Sequence, residues 1–148
     1  MKRVLLVCTG NICRSPTAEG VLRTRASARG LGARLEVDSA GIEGYHAGEA
    51  PDRRSVRAAA TRGYDLSGLR ARAVVPQDFA RFDLLLGMDD GHVAALLRMA
   101  PPGCRGRVER FDEEEVGDPY YGGPEGFERV LDQIEGRADA LLRAWFPA

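Results

Sequence analysis

The chain has 148 residues, of which 44% are hydrophobic and 29% are charged, and its formal net charge at pH 7 is −1. This length suffices for a sizeable core, so we expect one domain over residues 1–148. Because the chain lacks the basic excess of nucleic-acid binders and its amino-terminal apolar run is too short for a signal peptide or a membrane span, we expect a cytoplasmic protein that binds neither nucleic acid nor membrane.

The first predicted elements are a strand, a turn and a helix. An apolar run without alternation, which is typical of a buried parallel strand, ends at Cys8. Ser15 and Pro16 then predict the start of a helix, with the serine as its cap and the proline in its first turn. This helix should end near Arg29, just before a Gly-Leu-Gly sequence.

The rest of the chain continues to alternate strands with helices. The glycine-rich loop from Ala40 through Pro51 is too long for a simple connection and is expected to border a site. Such alternation indicates a parallel sheet with helices on both faces, and these sheets bind ligands at the carboxyl ends of their strands. The further elements are strands at 35–39, 82–88 and 108–111, helices at 52–62, 89–99 and 125–146, and an irregular segment at 66–76.

The turn after the first strand carries the candidate chemistry. It holds Cys8 and, six positions later, Arg14, at a helix start where backbone N–H groups lack partners. Such amides form a nest for a tetrahedral oxyanion, and a guanidinium binds two of its oxygens side by side. The same surroundings stabilise a thiolate, to which Ser15 is placed to donate a hydrogen bond. The turn lacks the G-K-[ST] ending of a nucleotide-binding loop, so we predict a phosphate site with a cysteine nucleophile.

The alternative for Cys8 is that it is only a buried strand residue, since free cysteine is among the most buried residue types. Gly10 and Asn11 favour the functional interpretation, because both tolerate the unusual backbone angles that a tight anion-binding turn requires.

Cleavage of a phosphate ester by a thiolate also needs an acid for the departing oxygen. Asp118 is the candidate, because it precedes Pro119 in a glycine-flanked loop and the rigid Asp-Pro link keeps the carboxyl out of helical geometry. From the residues alone, an ordinary turn remains the alternative.

The segment from Val7 to Glu19 resembles the signature of the low-molecular-weight protein tyrosine phosphatases. Three further segments resemble motifs of that family in the same order, so the resemblance covers nearly the whole chain. It implies an α/β fold with a doubly wound, four-stranded parallel sheet of order 2-1-3-4 and a phosphate-binding loop after strand 1. The three segments are Asp38-Ser39-Ala40-Gly41, Met88-Asp89 and Asp118-Pro119-Tyr120-Tyr121.

The resemblance also implies an activity and the residues that carry it out. The activity is hydrolysis of phosphotyrosine in proteins and of small aryl phosphates, with no cofactor and no metal, and with phosphate and other oxyanions as ligands. The sequence does not indicate an oligomeric state, and we expect a monomer by default. Cys8 forms a phosphocysteine, Arg14 and the loop amides hold the phosphate, and Asp118 serves as acid and then as base. The other implied site residues are Thr9, Gly10, Asn11, Ile12, Cys13 and Ser15 in the loop, Ser39 as its support, and Tyr45, Tyr120 and Tyr121 around the substrate pocket.

One position departs from the family pattern. Members often carry a histidine that bonds the loop asparagine, and this chain has Leu69 there, so that support is absent or replaced. Cys13 either forms a reversible disulfide with Cys8 under oxidation or only packs beneath the loop. The two isolated histidines, His46 and His92, are predicted to be polar surface residues.

Two other functions fit parts of the pattern. An arsenate reductase of the same fold uses an equivalent cysteine loop, but it requires a close cysteine pair after the third strand, where this chain has Cys104 alone. A phosphotyrosine-binding module without turnover would need neither Cys8 nor Asp118. The three cysteines form no C-x-x-C pair and have no histidine at metal-ligand spacing, so we expect reduced thiols and no metal site.

Overall fold

The computed structural model describes residues 1–148 and is built on a four-stranded parallel sheet. Its strands are β1 (Lys2–Cys8), β2 (Leu35–Gly41), β3 (Leu84–Gly87) and β4 (Arg107–Arg110), arranged in the order β2-β1-β3-β4. All three neighbouring pairs run parallel, so every strand ends at the same edge of the sheet. The predicted α/β fold and strand order are confirmed.

The centre of β1 is apolar without alternation because both faces of the sheet are covered. Val4 and Leu6 belong to a core cluster of 26 buried residues, whereas Leu5 and Val7 belong to a second cluster of eight on the opposite face. Successive side chains of a strand point to opposite faces, so one uninterrupted apolar run fills both clusters.

Five helices cover the two faces: α1 (Arg14–Ala28), α2 (Arg53–Ala60), α3 (Asp78–Arg81), α4 (Asp90–Met99) and α5 (Pro124–Trp145). Helices α1, α2 and α5 pack on the larger cluster, and α3 and α4 pack on the smaller one. Helix α3 was not predicted, since a single four-residue turn gives no periodic signal in the sequence. No helix has both the length and the apolar content that spanning a membrane requires.

The predicted start of α1 was wrong in one respect. The helix begins at Arg14, so Cys13 rather than Ser15 occupies the capping position, and Cys13 makes no side-chain capping bond. The hydroxyl of Ser15 is instead engaged by the side chains of Cys8 and Asn11. A serine followed by proline predicts a cap, but here the serine hydroxyl bonds side chains of the preceding turn and not the backbone of the helix.

The carboxyl-terminal helix α5 buries an apolar stripe along one face. Its buried residues recur at three- and four-residue steps and pack against the larger cluster. Trp145, at the end of this stripe, is only half-buried, with the ammonium of Lys2 lying 5.4 Å from its ring centroid. The buried members are Phe127, Val130, Leu131, Ile134, Ala138, Leu141 and Leu142.

Candidate active site

The side chain of Cys8 lies buried at the carboxyl end of β1, at the base of the turn that leads into α1. Its Sγ is 3.0 Å from Ser15 Oγ. The same hydroxyl oxygen accepts a hydrogen bond of 2.8 Å from Asn11 Nδ2. Because the serine oxygen is already an acceptor, its hydrogen is free to point at the sulfur.

The backbone of this turn is held in an unusual conformation by Asn11, which has a φ of +59° and is the sole residue other than glycine with positive φ. Its Nδ2 donates to Ser15 and to Ser39 Oγ at 2.9 Å, and its Oδ1 accepts the backbone N–H of Arg72 at 3.0 Å. Leu69 packs against the larger core cluster. The Arg72 amide therefore holds the asparagine in a chain that has leucine in place of the family histidine.

The support extends from Ser39 to α1. Ser39 Oγ donates a 2.6 Å hydrogen bond to Oε1 of the buried Glu19, whose other carboxylate oxygen pairs with Arg23. Burial raises the pKa of Glu19, although the bonds from Ser39 and Arg23 work in the opposite direction. A continuous hydrogen-bonded path thus connects the first helix, the second strand and the turn.

Replacing Asn11 by alanine should destabilise the fold by about 2 to 4 kcal/mol. The change leaves buried partners unsatisfied and places a residue with a Cβ but no stabilising side chain in the left-handed region. Urea unfolding of the variant measures the effect. Ser67→Ala, which removes an exposed hydroxyl bonded only to Asp65, is the control. A loss no larger than that of the control would contradict the assigned role.

Arg14 is buried at the start of α1, and its guanidinium is fixed from behind. Nη1 donates to Asp89 Oδ2 and to the carbonyl oxygen of Val116, both at 2.9 Å. Burial alone would raise the pKa of Asp89, but the hydrogen bonds from the His92 amide and from Arg14 outweigh it and lower that pKa. Asp89 therefore remains a carboxylate that anchors the arginine.

Asp118 lies across the cleft from this arginine. Its Oδ2 is 3.7 Å from Arg14 Nη2, and its Oδ1 accepts the backbone N–H of Tyr120 at 3.0 Å, which fixes the carboxyl within its loop. The side chain is 46% exposed. A carboxyl in this position faces both the guanidinium and the solvent.

The turn, the acid loop and the loop after β2 enclose one cleft of about 260 Å³. Tyr45, 65% exposed, borders the cleft rather than covering the core, and Tyr121, 93% exposed, stands at its outer rim. The guanidinium of Arg54 lies 5.3 Å from the centroid of the Tyr120 ring. The residues that line the cleft are Cys8, Thr9, Gly10, Ile12, Cys13, Arg14, Tyr45, His46, Asp118, Tyr120 and Tyr121.

Both histidines were predicted to be surface residues; this was wrong for His92, whereas His46 is half-buried at the wall of the cleft. The ring of His46 lines the cleft and packs against Gly10, where an added Cβ would come within 2.8 Å of it. His92 is only 4% exposed, and its Nε2 lies 2.9 Å from Thr9 Oγ1. Neither histidine belongs to a recognisable motif; α4 begins where β3 ends, beside β1, and this topology carries His92 to the turn.

The other thiols are not arranged for attack. Burial, reinforced by the negative charge of Asp52, raises the pKa of Cys13 to about 12, so Cys13 is a neutral thiol at physiological pH. Cys104 is half-buried at the opposite edge of the sheet, before β4. All three cysteines are free, and a reversible bond between Cys8 and Cys13 stays a prediction.

Comparisons with known proteins agree with this geometry. The family model described as low molecular weight phosphotyrosine protein phosphatase matches residues 3–145. A low molecular weight protein-tyrosine-phosphatase of Streptomyces coelicolor is 44% identical over 96% of this chain and 92% of its own. The structure of a protein tyrosine phosphatase from Entamoeba histolytica with Hepes in the active site has a TM-score of 0.91 at 36% identity, covering 96% of this chain and 95% of the other.

A further structural neighbour has a different name. The structure of DARP, a Drosophila arginine phosphatase, has a TM-score of 0.92 at 30% identity and covers 99% of this chain and 98% of the other. The same architecture is therefore associated with more than one phosphorylated side chain.

Proposed function

Because the chain belongs to the low molecular weight phosphotyrosine protein phosphatase family, we propose that it hydrolyses phosphotyrosine in proteins, and small aryl phosphates, through a phosphocysteine on Cys8. The observation that carries this proposal is the convergence on one cleft of two separate segments of the chain, the turn that holds Cys8 and Arg14 and the loop that holds Asp118.

Substrate binding relies on the amino-terminal end of α1. The backbone N–H groups from Thr9 to Ser15 surround the phosphate, and the free edge of the Arg14 guanidinium holds two of its oxygens. Because Asp89 and Val116 already fix the other side of that guanidinium, little side-chain freedom is lost on binding. This positive field also stabilises the charge on the equatorial oxygens in the transition state.

The reaction proceeds in two displacements. First, the Cys8 thiolate attacks phosphorus in line, the bond from phosphorus to the ester oxygen breaks, and Asp118 gives its proton to that oxygen. A phosphocysteine and a free phenol result. Next, Asp118 takes a proton from water, the resulting hydroxide attacks phosphorus, and the sulfur–phosphorus bond breaks. This step regenerates the thiolate and releases inorganic phosphate.

The aromatic walls set the substrate class in this proposal. Tyr45 and Tyr120 border the opening of the cleft, where flat rings stack against the phenyl ring of phosphotyrosine. The shorter phosphoserine has no ring to fill that space. The proposed partners are thus phosphotyrosine proteins, with inorganic phosphate as the product ligand, and the chain acts as a cytoplasmic monomer.

The test compares three phosphopeptides of one sequence that carry phosphotyrosine, phosphoserine or phosphoarginine. The phosphotyrosine peptide should be preferred over the phosphoserine peptide by about fivefold or more in kcat/KM, since ring stacking contributes on the order of 1 kcal/mol. Equal or greater turnover of phosphoarginine would assign the site to a different side chain. Arsenate-dependent thiol oxidation without phosphopeptide turnover would indicate the reductase instead.

A further inference from the structure

His92 lies in a chain of hydrogen bonds that joins the two sides of the phosphate site. Its Nε2 bonds Thr9 Oγ1, next to the nucleophile, at 2.9 Å. Its Nδ1 is 3.2 Å from the backbone N of Asp89, and its own backbone N–H donates to Asp89 Oδ1 at 3.0 Å. The other oxygen of Asp89 holds Arg14. The buried ring of His92 therefore contacts both the turn, at Thr9, and Asp89, which anchors Arg14.

These partners fix the tautomer of the ring. The backbone N–H of Asp89 can only donate, so Nδ1 of His92 must be its unprotonated acceptor. A neutral imidazole then carries its single proton on Nε2, which donates it to Thr9 Oγ1. Gly87 makes room for this arrangement, because a Cβ there would lie 2.9 Å from His92 Cβ.

We propose that His92 is a positioning residue for phosphate transfer. As a neutral imidazole with its proton on Nε2, it bonds Thr9 and Asp89 at once and thereby fixes the position of the turn relative to the Asp89–Arg14 pair. The proposal rests on the proposed phosphatase function. His92 itself does not line the cleft, so it acts through its two partners rather than on the reacting atoms.

Protonation of the ring breaks this arrangement. A second proton on Nδ1 removes the acceptor for the Asp89 amide and turns the ring toward Asp89 Oδ1, 3.3 Å away, in competition with Arg14. Four charged groups face the ring: Arg14 from α1, Asp89 before α4, Glu115 after β4, and Asp118 in the acid loop. Burial and then Arg14 lower the pKa of His92, against the attraction of the three carboxylates.

Acidification removes the neutral form of His92 that positions the turn. Because the folded pKa lies below the ordinary value of about 6.5, the neutral, positioning form persists through neutral pH and is lost as the pH falls through the folded value. The unfolded chain binds this proton more readily, so acidification in the interval between the two values also destabilises the fold. The loss of activity and the loss of stability are therefore both expected at acidic pH.

His92→Asn separates the two bonds of the ring. The amide oxygen of asparagine can take the place of Nδ1 and still accept the Asp89 amide, but the side chain is too short to reach Thr9. We expect kcat/KM on an aryl phosphate to fall about two- to tenfold above neutral pH, which corresponds to one net hydrogen bond. Thr9→Val, which removes the hydroxyl and keeps the shape, should give a similar loss.

The pH profile distinguishes positioning from a merely structural cap. The ratio of wild-type to His92→Asn kcat/KM cancels the titrations of substrate and nucleophile; it should be constant above neutral pH and decline toward 1 on the acid side. Ser67→Ala, which removes an exposed hydroxyl outside the cleft, is the control, and its ratio to wild type should be close to 1 at every pH. A pH-independent ratio for His92→Asn would overturn the proposal.

Two further measurements test the bond between His92 and Thr9 independently of the pH profile. The double variant Thr9→Val/His92→Asn should lose no more activity than either single variant, whereas multiplied losses would contradict a shared bond. Nitrogen-15 NMR of the resting wild-type protein should show the His92 proton on Nε2 at pH 7, and a proton on Nδ1 would also overturn the proposal. This spectrum needs no turnover, so it can contradict the role of His92 even if the protein is an active phosphatase. The phosphatase activity itself is tested separately by Cys8-dependent hydrolysis.

Discussion

Replacing Cys8 by serine should abolish aryl phosphate hydrolysis, with kcat reduced by about 10⁵-fold or more, while phosphate still binds. A serine hydroxyl in the same position is not ionised near neutral pH, and no general base lies against it to activate it. Ser15 Oγ, the group 3.0 Å from the sulfur, is placed to donate a hydrogen bond and not to remove a proton. Loss of the nucleophile from such a site leaves only binding and electrostatic contributions.

Steady-state hydrolysis of p-nitrophenyl phosphate measures this loss, and calorimetric titration with inorganic phosphate checks that the anion site survives. Cys104→Ser is the matched control, because it makes the same chemical change at the opposite edge of the sheet. The control should keep wild-type kinetics. Substantial turnover by Cys8→Ser would exclude a phosphocysteine on this residue.

The structure also explains why the site forms at this edge of the sheet. β1 is central and pairs with both β2 and β3, so the turn after it is flanked by the ends of both neighbours. From one side, the end of β2 supplies Ser39 to Asn11. From the other, the start of α4 supplies Asp89 to Arg14 and His92 to Thr9. The central strand position thus gives the turn two independent supports.

The sequence predicted the parts of the site that are contiguous. Cys8, Arg14 and Ser15 lie within one turn, where spacing and residue type together indicate an anion-binding loop with a nucleophile. The sheet was likewise predictable, since a short run that is apolar at every position indicates a strand buried on both faces. For the sheet, local pattern and final structure agree, and the roles of the three site residues stay predictions.

The supports of the site were not predictable in the same way. His92 is one polar residue on an otherwise ordinary helix, and its contact with Thr9 depends on strand order, which brings α4 beside β1. Arg72 contributes through its backbone N–H, so its side chain gives no sequence signal at all. Asp89 has a sequence signal only as part of a family motif, and its bond to Arg14 spans 75 positions. Contacts of this kind depend on tertiary structure.

Replacing Asp118 by asparagine should lower kcat by about 10²- to 10⁴-fold while the affinity for inorganic phosphate is retained. The amide keeps the shape and can still accept the Tyr120 N–H, so the acid loop should retain its conformation. What it cannot do is give a proton to the leaving oxygen or take one from water. The loss should therefore appear in the chemical steps and not in binding.

The dependence on the leaving group identifies which step needs the acid. An aryl oxide that is already stable, such as nitrophenolate, needs little protonation, so the first displacement should slow less for nitrophenyl phosphate than for phenyl phosphate or a phosphotyrosine peptide. Burst kinetics separate the two displacements, since Asp118→Asn should accumulate phosphocysteine from the activated ester when hydrolysis of the intermediate becomes limiting. Asp132→Asn, which replaces an exposed carboxylate on α5 that pairs with Arg62, is the control and should match wild type. If Asp118→Asn slowed all esters equally and gave no burst, the carboxyl would be acting through its field on Arg14, 3.7 Å away, and not through proton transfer.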